Sequence, residues 1–143
     1  MQYYRQTSHT KFYCVYHLVW ITKYRYPVMI GDIAVRIREL VRQICSAQQA
    51  EIIRGKVAKE HVHIYVSAPP YISISKLMQL IKGATSRKIQ QEYPELKKRY
   101  WSKHFWAIGY FACTAGNVTD EMIQQYIDSH GQDEDFGNFK VEN

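Results

Sequence analysis

The sequence is poor in the features that indicate a secreted, disulfide-bonded or membrane-spanning protein. It has three cysteines in 143 residues and no CxxC pair. An odd number of widely spaced cysteines argues against both a disulfide framework and a thiolate zinc site, so we predict that Cys14, Cys45 and Cys113 are small buried hydrophobic residues. No apolar run approaches the roughly 18 residues of a membrane span, and the polar start lacks the apolar segment of a signal peptide. We therefore expect a soluble, cytoplasmic protein with no membrane partner.

The composition is that of one folded, basic domain. Hydrophobic residues make up 46% of the chain and aromatic residues 14%, which is enough for a packed core. The formal net charge is +6, but the last thirteen residues carry a net −3, so residues 1–130 carry +9. We predict a single domain over residues 1–130 and an acidic, flexible tail over residues 131–143. Because clustered Lys and Arg release counterions from a phosphate backbone, nucleic acid is the first partner to test.

The hydrophobic pattern alternates between strand and helix signals. Apolar residues on both parities at 11–21 suit a strand that is covered on both faces, and Ser73 can cap a helix. The predicted elements are a strand at 11–21, a helix at 32–48, strands at 51–58 and 61–67, a helix after Ser73, a strand at 106–113 and a helix at 119–130.

The first six of these elements match one α+β plan. They follow the βαββαβ order of ferredoxin-like and RRM-like domains, in which an antiparallel sheet carries both helices on one face. That plan leaves the other face of the sheet open. The helix at 119–130 is then an addition that the core does not require.

A histidine pair is the first candidate for chemistry. His61 and His63 lie two residues apart in a predicted strand, so both imidazoles leave the same face and can converge on one metal ion. Two histidines at this spacing also arise by chance, so the pair alone is a weak signal. Glu60, just before the pair, is either an outer acceptor that fixes an imidazole tautomer or a hairpin-turn residue.

The last helix holds a second candidate. Tyr126 belongs to its apolar stripe, and a core aromatic is the simplest interpretation. His130 follows four residues later on the same face. A phenol and an imidazole are therefore expected side by side.

Five ordered blocks of sequence together resemble a known family. They are VYHLVWITKYRYPV, KEHVHIYVSAPP, KGATSRK, YWSKHFWAIGYFACTAGNVT and a helix that ends in QQYIDSH. These blocks are similar to the single-tyrosine HUH transposases of small bacterial and archaeal insertion sequences, the TnpA group, and the resemblance runs from about residue 9 to 130. The resemblance implies that His61 and His63 are metal ligands and that Tyr126 is the nucleophile. It also implies nicking and rejoining of single-stranded DNA through a 5′-phosphotyrosine, without a nucleotide cofactor.

The third metal ligand departs from the family pattern. The family usually has a glutamine four residues after its tyrosine, where this chain has His130, with Gln132 two residues later. His130 is the first choice for the ligand and Gln132 the alternative. The expected cofactor is a divalent ion, Mg²⁺ or Mn²⁺, and a third imidazole makes Mn²⁺ or Zn²⁺ more plausible.

The resemblance further implies DNA hairpins at element ends as substrate, and a homodimer whose active sites are shared between protomers. Basic residues interleaved with rings are the candidates for contacting phosphates and unpaired bases. These DNA-binding candidates are Lys23, Tyr24, Arg25, Lys82, Arg87, Lys88, Lys97, Lys98 and Arg99.

Three other functions remain open at this point. One is a non-enzymatic RRM-like nucleic-acid-binding module, although the chain lacks an aromatic-rich RNP1-like octamer. Another is an HUH replication initiator or relaxase, which shares the nicking chemistry. The last is a domesticated HUH endonuclease that processes dispersed palindromes. A covalent protein–DNA adduct separates the first from the rest.

Overall fold

The computed structural model describes residues 5–96, 104–114 and 120–129. A four-stranded antiparallel sheet in the order β4-β5-β3-β6 forms its centre, beside a two-stranded sheet of β1 and β2. The elements are β1 (Arg5–Gln6), β2 (Lys11–Phe12), β3 (Val15–Ile21), α1 (Gly31–Ala47), β4 (Glu51–Val57), β5 (His61–Ser67), α2 (Ile74–Glu92), β6 (Phe111–Thr114) and α3 (Asp120–Asp128).

The strand order confirms the predicted ferredoxin-like fold. Strands β3, β4, β5 and β6 are the four strands of the βαββαβ unit, and β4 and β5 form the hairpin expected around Lys59 and Glu60. The predicted first strand divides in two, because residues 11–12 pair with β1 whereas β3 begins at Val15, opposite Ser67. Pro69 and Pro70 follow β5 and end the ladder there.

Both long helices cover one face of the sheet. The core between them and the sheet includes Leu18 and Trp20 from β3 and Ile64 from β5. Helix α1 contributes Ile37, Leu40, Val41 and Cys45, as its amphipathic pattern predicts. Helix α2 begins as predicted, with the Ser73 hydroxyl accepting a hydrogen bond from the Lys76 backbone N–H at 3.1 Å.

The opposite face is not left fully open. Val19 and Ile21 of β3 point to that side and are completely buried. They pack with Ala107 and with Ile123 and Ile127 of α3. This second cluster explains why β3 is apolar at both odd-numbered and even-numbered positions, since each set of side chains packs on one of the two faces.

An irregularity in β4 decides which of its residues face the helices. Ile52 pairs with Val66 and Arg54 with Tyr65, so Ile53 is the extra residue of a β-bulge. Ile52 and Val57 both pack on the core, although five positions separate them and strict alternation would place them on opposite faces.

Two predictions are corrected by the structure. The strand expected at 106–113 is confined to Phe111–Thr114, because Trp106 makes only an isolated bridge with Thr22 and Gly109 has a positive φ of 90°. Of the cysteines, only Cys45 is buried, whereas Cys14 and Cys113 are partly exposed.

Some predictions lie outside the described residues. They are the Thr119 cap, His130 and Gln132, the basic run Lys97, Lys98 and Arg99, and the tail at 131–143. Within the described part of the chain, no helix has the length and apolarity that crossing a membrane requires.

Candidate metal centre and nucleic-acid interface

Cross-strand rows organise the face of the sheet opposite α1 and α2. In an antiparallel sheet, directly paired residues point to the same side. Two rows cross all four strands, a third row joins Glu51, Ser67 and Val15, and Ile21 pairs with His61 between β3 and β5. The rows of four are Lys56, His63, Val19 and Phe111, and Arg54, Tyr65, His17 and Cys113.

His61 is held by the glutamate that precedes it. Its Nδ1 lies 3.1 Å from Glu60 Oε1. A carboxylate can only accept, so Nδ1 carries the proton in this contact and Nε2 keeps its lone pair. Glu60 therefore contacts the His61 imidazole and also lies in the turn between β4 and β5.

His63 is held by a third histidine that the sequence analysis did not select. His17 Nδ1 and His63 Nε2 are 3.0 Å apart, a hydrogen bond between two ring nitrogens that share one proton. The His17 ring also packs on Tyr65 at 4.6 Å between centroids. Burial, and then the Arg54 guanidinium, lower the pKa of His17 below its usual value.

The donor set fits a divalent ion only in part. His61 and His63 each have one ring nitrogen occupied by a neighbour, which is how ligating histidines are commonly oriented. Among residues 5–96, 104–114 and 120–129, no three His, Cys, Asp or Glu side chains are grouped closely enough to hold a metal. The described residues thus offer two imidazoles, and a metal ion held there would need further ligands from water, from substrate or from other residues of the chain.

Tyr126 reaches the same face on α3. The centroid of its ring lies 5.8 Å from that of Phe111. Phe111 is the β6 residue at the end of the row that contains His63, and two strand spacings, about 10 Å, separate the backbones of Phe111 and His63. The hydroxyl oxygen of Tyr126 is shielded from solvent. Asp128, at the end of α3, accepts from Arg25 at 3.3 Å, an exposed ion pair that adds little to stability.

A basic groove lies beside the sheet, where α2 meets residues 104–109. It encloses about 750 Å³. Its lining includes the predicted DNA-binding residues Lys23, Lys82 and Arg87 together with His104, and none of the described residues that line it is acidic. His104 was not selected from the sequence, because nothing local marks it as a neighbour of α2.

Lys82 has a second role at the groove wall. Its ammonium donates to the carbonyls of Ala107 and Gly109, both at 2.8 Å. Burial lowers the pKa of Lys82 to about 8. Lys82 therefore fixes the loop before β6 and changes charge near neutral pH.

The other DNA-binding candidates among the described residues, Tyr24, Arg25 and Lys88, do not line the groove. Tyr24 and Arg25 form a short turn after β3 with positive φ angles of 59° and 58°. Lys88 lies on the exposed side of α2 and lowers the pKa of Glu92, after the larger effect of Arg36.

One face of the sheet thus carries a histidine pair and a tyrosine helix, and a basic groove lies beside it. Comparison with known proteins identifies the chain as a DNA-processing enzyme of the transposase class. The chain belongs to the transposase IS200-like family, whose profile matches residues 10–130. This confirms the family expected from the sequence.

Two characterised relatives are similar over most of their length. The ISDra2 transposase TnpA of Deinococcus radiodurans is 35% identical over 114 residues, which are 80% of this chain and 81% of that protein. The transposase for insertion sequence element IS200 of Salmonella typhimurium is 30% identical over 131 residues, covering 92% and 85%.

Solved structures share the fold. A candidate transposase from Deinococcus radiodurans R1 superposes with a TM-score of 0.82 at 28% identity, covering 89% of this chain and 98% of that one. A REP-associated tyrosine transposase bound to a REP hairpin has a TM-score of 0.54 at 13% identity, over 87% and 70% of the two chains, and supports the fold alone.

Proposed function

We propose that this protein nicks and rejoins single-stranded DNA at hairpin-bearing ends of an insertion sequence. The observation that carries the proposal is the common face of the sheet, on which His61 and His63, each held by a neighbouring side chain, lie together with the tyrosine helix. Family membership favours this function over an RRM-like binding module.

In the proposed reaction, the Tyr126 oxygen attacks the scissile phosphorus and loses its proton. The bond from phosphorus to the 3′ oxygen breaks, and that oxygen leaves as a 3′-hydroxyl after taking up a proton. The 5′-phosphotyrosine keeps a phosphodiester bond, so a 3′-hydroxyl can reverse the step and join strands without a nucleotide cofactor.

The chain's own residues prepare this step. His61 and His63 would hold a divalent ion, with His130 as the proposed third ligand. When bound, such an ion polarises the scissile phosphate and stabilises the transition-state charge. Glu60 and His17 each contact one ring nitrogen of one of the paired histidines, which restricts the rotation of that ring.

The decisive experiment is adduct formation. The full chain is incubated with labelled single-stranded DNA from the flanks of its own gene, with and without Mn²⁺, and resolved under denaturing conditions. We expect a covalent protein–DNA band that requires the metal. Strand joining between the two element ends would favour a transposase over a domesticated endonuclease.

Hairpin affinity is expected to fall steeply with salt. If Lys23, Lys82 and Arg87 each neutralise one duplex phosphate, log affinity should fall with log salt at a slope of about −3, since each contact contributes about 0.9. Fluorescence anisotropy with a labelled hairpin measures the slope. A flat response from roughly 50 to roughly 200 mM salt would contradict the proposed interface.

Hairpin affinity is also expected to fall as pH rises through about 8, where Lys82 loses its charge. The neutral amine keeps two N–H groups for the carbonyls of Ala107 and Gly109, so the loop should stay in place. Lys82→Met should lack this step, and Lys88→Met, on the exposed side of α2, should retain it. An identical pH profile for wild type and Lys82→Met would contradict the assignment.

Sharing of active sites within a homodimer is a further part of the proposal. In the single chain, α3 packs on its own β3 through Ile123 and Ile127. Exchange of α3 between two protomers would bury the same side chains on the same strand, so it costs little packing. We expect a heterodimer of Tyr126→Phe and His63→Ala chains to regain cleavage. A verified heterodimer that stays inactive would show that each chain uses its own α3.

A further inference from the structure

A small basic cavity lies on the open face beside His63. It encloses about 120 Å³ and is lined by Arg54, Gly55, Lys56, His63 and Tyr65. This opening at the surface leaves room for a phosphate group. The cavity is separate from the basic groove, whose lining includes none of these residues.

The β-bulge at Ile53 accounts for the two cations of this cavity. Because the bulge shifts the alternation of β4, Arg54 and Lys56 face the same side as the paired histidines. Gly55 points to the core instead, where an added Cβ would lie 3.1 Å from Ile64 Cγ2. Two neighbouring positive charges are thereby directed at one side of the sheet.

Among the described residues, the charges of this cavity have no acidic partner. No acidic side chain of residues 5–96, 104–114 and 120–129 lines it, and within the same ranges neither Arg54 nor Lys56 forms an ion pair. The Arg54 guanidinium lies 4.5 Å from the centroid of the Tyr65 ring, which fixes its position without satisfying its charge. Two cations that face one side of the sheet without an acidic partner among the described residues are suited to bind an oxyanion.

The cavity also has a defined position relative to the proposed chemistry. Lys56 is directly paired with His63, and the same row continues through Val19 to Phe111, against which Tyr126 packs. A DNA strand that runs along this row, from β6 to β4, would therefore pass Tyr126 before it reaches His63 and the cavity after it.

We propose that Arg54 and Lys56 bind a backbone phosphate of the single strand next to the scissile phosphate. This site rests on the proposed function and extends it, because it assigns the path of the single strand across the sheet. It makes Arg54 and Lys56 positioning residues for the strand.

The test is a binding measurement without metal, so that it does not depend on cleavage. Affinity is measured for a hairpin with a single-stranded extension through the cleavage site, in which phosphates are replaced one at a time by neutral methylphosphonates. We expect one position to cost wild type about tenfold or more, as for loss of charge-assisted hydrogen bonds. The double variant with Arg54→Gln and Lys56→Gln should bind unmodified DNA more weakly than wild type by a similar factor. Its affinity should not fall further when the methylphosphonate is placed at that position.

The control is a double variant with the same change in charge. Arg38→Gln and Arg42→Gln neutralises two exposed cations on α1, behind the other face of the sheet, and should keep the full methylphosphonate effect. Circular dichroism verifies the fold of each variant. Affinity losses equal to those of the control, or losses that add to the methylphosphonate effect, would overturn the proposal. Failure of wild type to form an adduct would count against the proposed function alone.

Discussion

Replacing Tyr126 by phenylalanine is expected to abolish the covalent protein–DNA adduct while hairpin DNA remains bound. The substitution removes only the attacking oxygen. The ring that packs against Phe111 at 5.8 Å is retained, so α3 should still dock through Ile123 and Ile127. Denaturing electrophoresis of the reaction measures the adduct, and anisotropy of a labelled hairpin measures binding.

The matched control is another tyrosine outside the site. Tyr71 is 67% exposed and lies before α2, so Tyr71→Phe should form the adduct at the wild-type rate. Cleavage by Tyr126→Phe at the wild-type rate would reject the nucleophile assignment. Loss of hairpin binding together with cleavage would instead indicate that the ring hydroxyl supports the fold or the DNA interface.

Replacing either paired histidine by alanine should eliminate metal-dependent cleavage. His61 and His63 lie at a partly exposed surface, so their truncation opens no core cavity and the fold should persist. We expect a loss of at least about 100-fold in the cleavage rate, because the stabilisation of phosphate charge is removed. Single-turnover cleavage over a range of Mn²⁺ concentrations measures the effect, and normal cleavage by either variant would refute the metal-site assignment.

His17 should show an intermediate effect on metal binding. Losing the contact to His63 Nε2 in His17→Leu should weaken Mn²⁺ affinity by about 10- to 100-fold, the range for outer partners of metal ligands. Calorimetry with Mn²⁺ measures this directly. His17→Asn, whose amide can reach the position of Nδ1, should recover part of the loss. Cys113→Ala, which changes the residue directly opposite His17, serves as the control.

The local part of the site is accessible from sequence and the long-range part is not. His61 and His63 share a face because strand geometry fixes the direction of side chains two apart, and Glu60 is their sequence neighbour. His17 is 46 residues from His63, and only the register between β3 and β5 brings the rings together. The hydrophobic pattern predicts both strands but leaves their register open.

The errors in the predicted fold also arise from contacts between residues that are distant in sequence. The aromatic run after Trp106 has strand composition, yet Lys82, 25 residues away, holds the carbonyl of Ala107 from across the chain. The bulge at Ile53 also could not be predicted from the sequence of β4 alone. It is required because Ile52 and Val57 both pack on the core, which strict alternation does not allow. Arg54 and Lys56 therefore could not be assigned to a face in advance.

Helix α3, which carries the proposed nucleophile, packs on the sheet through few buried side chains, so its detachment need not unfold the domain. Among residues 121–128 of this helix, Ile123 and Ile127 are the buried ones, and burial of an isoleucine contributes about 1.5 to 3 kcal/mol. Local detachment of α3 thus requires far less free energy than opening the sheet, and its amides should exchange with deuterium sooner than those of β3. The Tyr126 hydroxyl is shielded while the helix is docked. If Tyr126 is the nucleophile, as proposed, we expect this local equilibrium, and not the melting temperature, to set how often its hydroxyl reaches DNA.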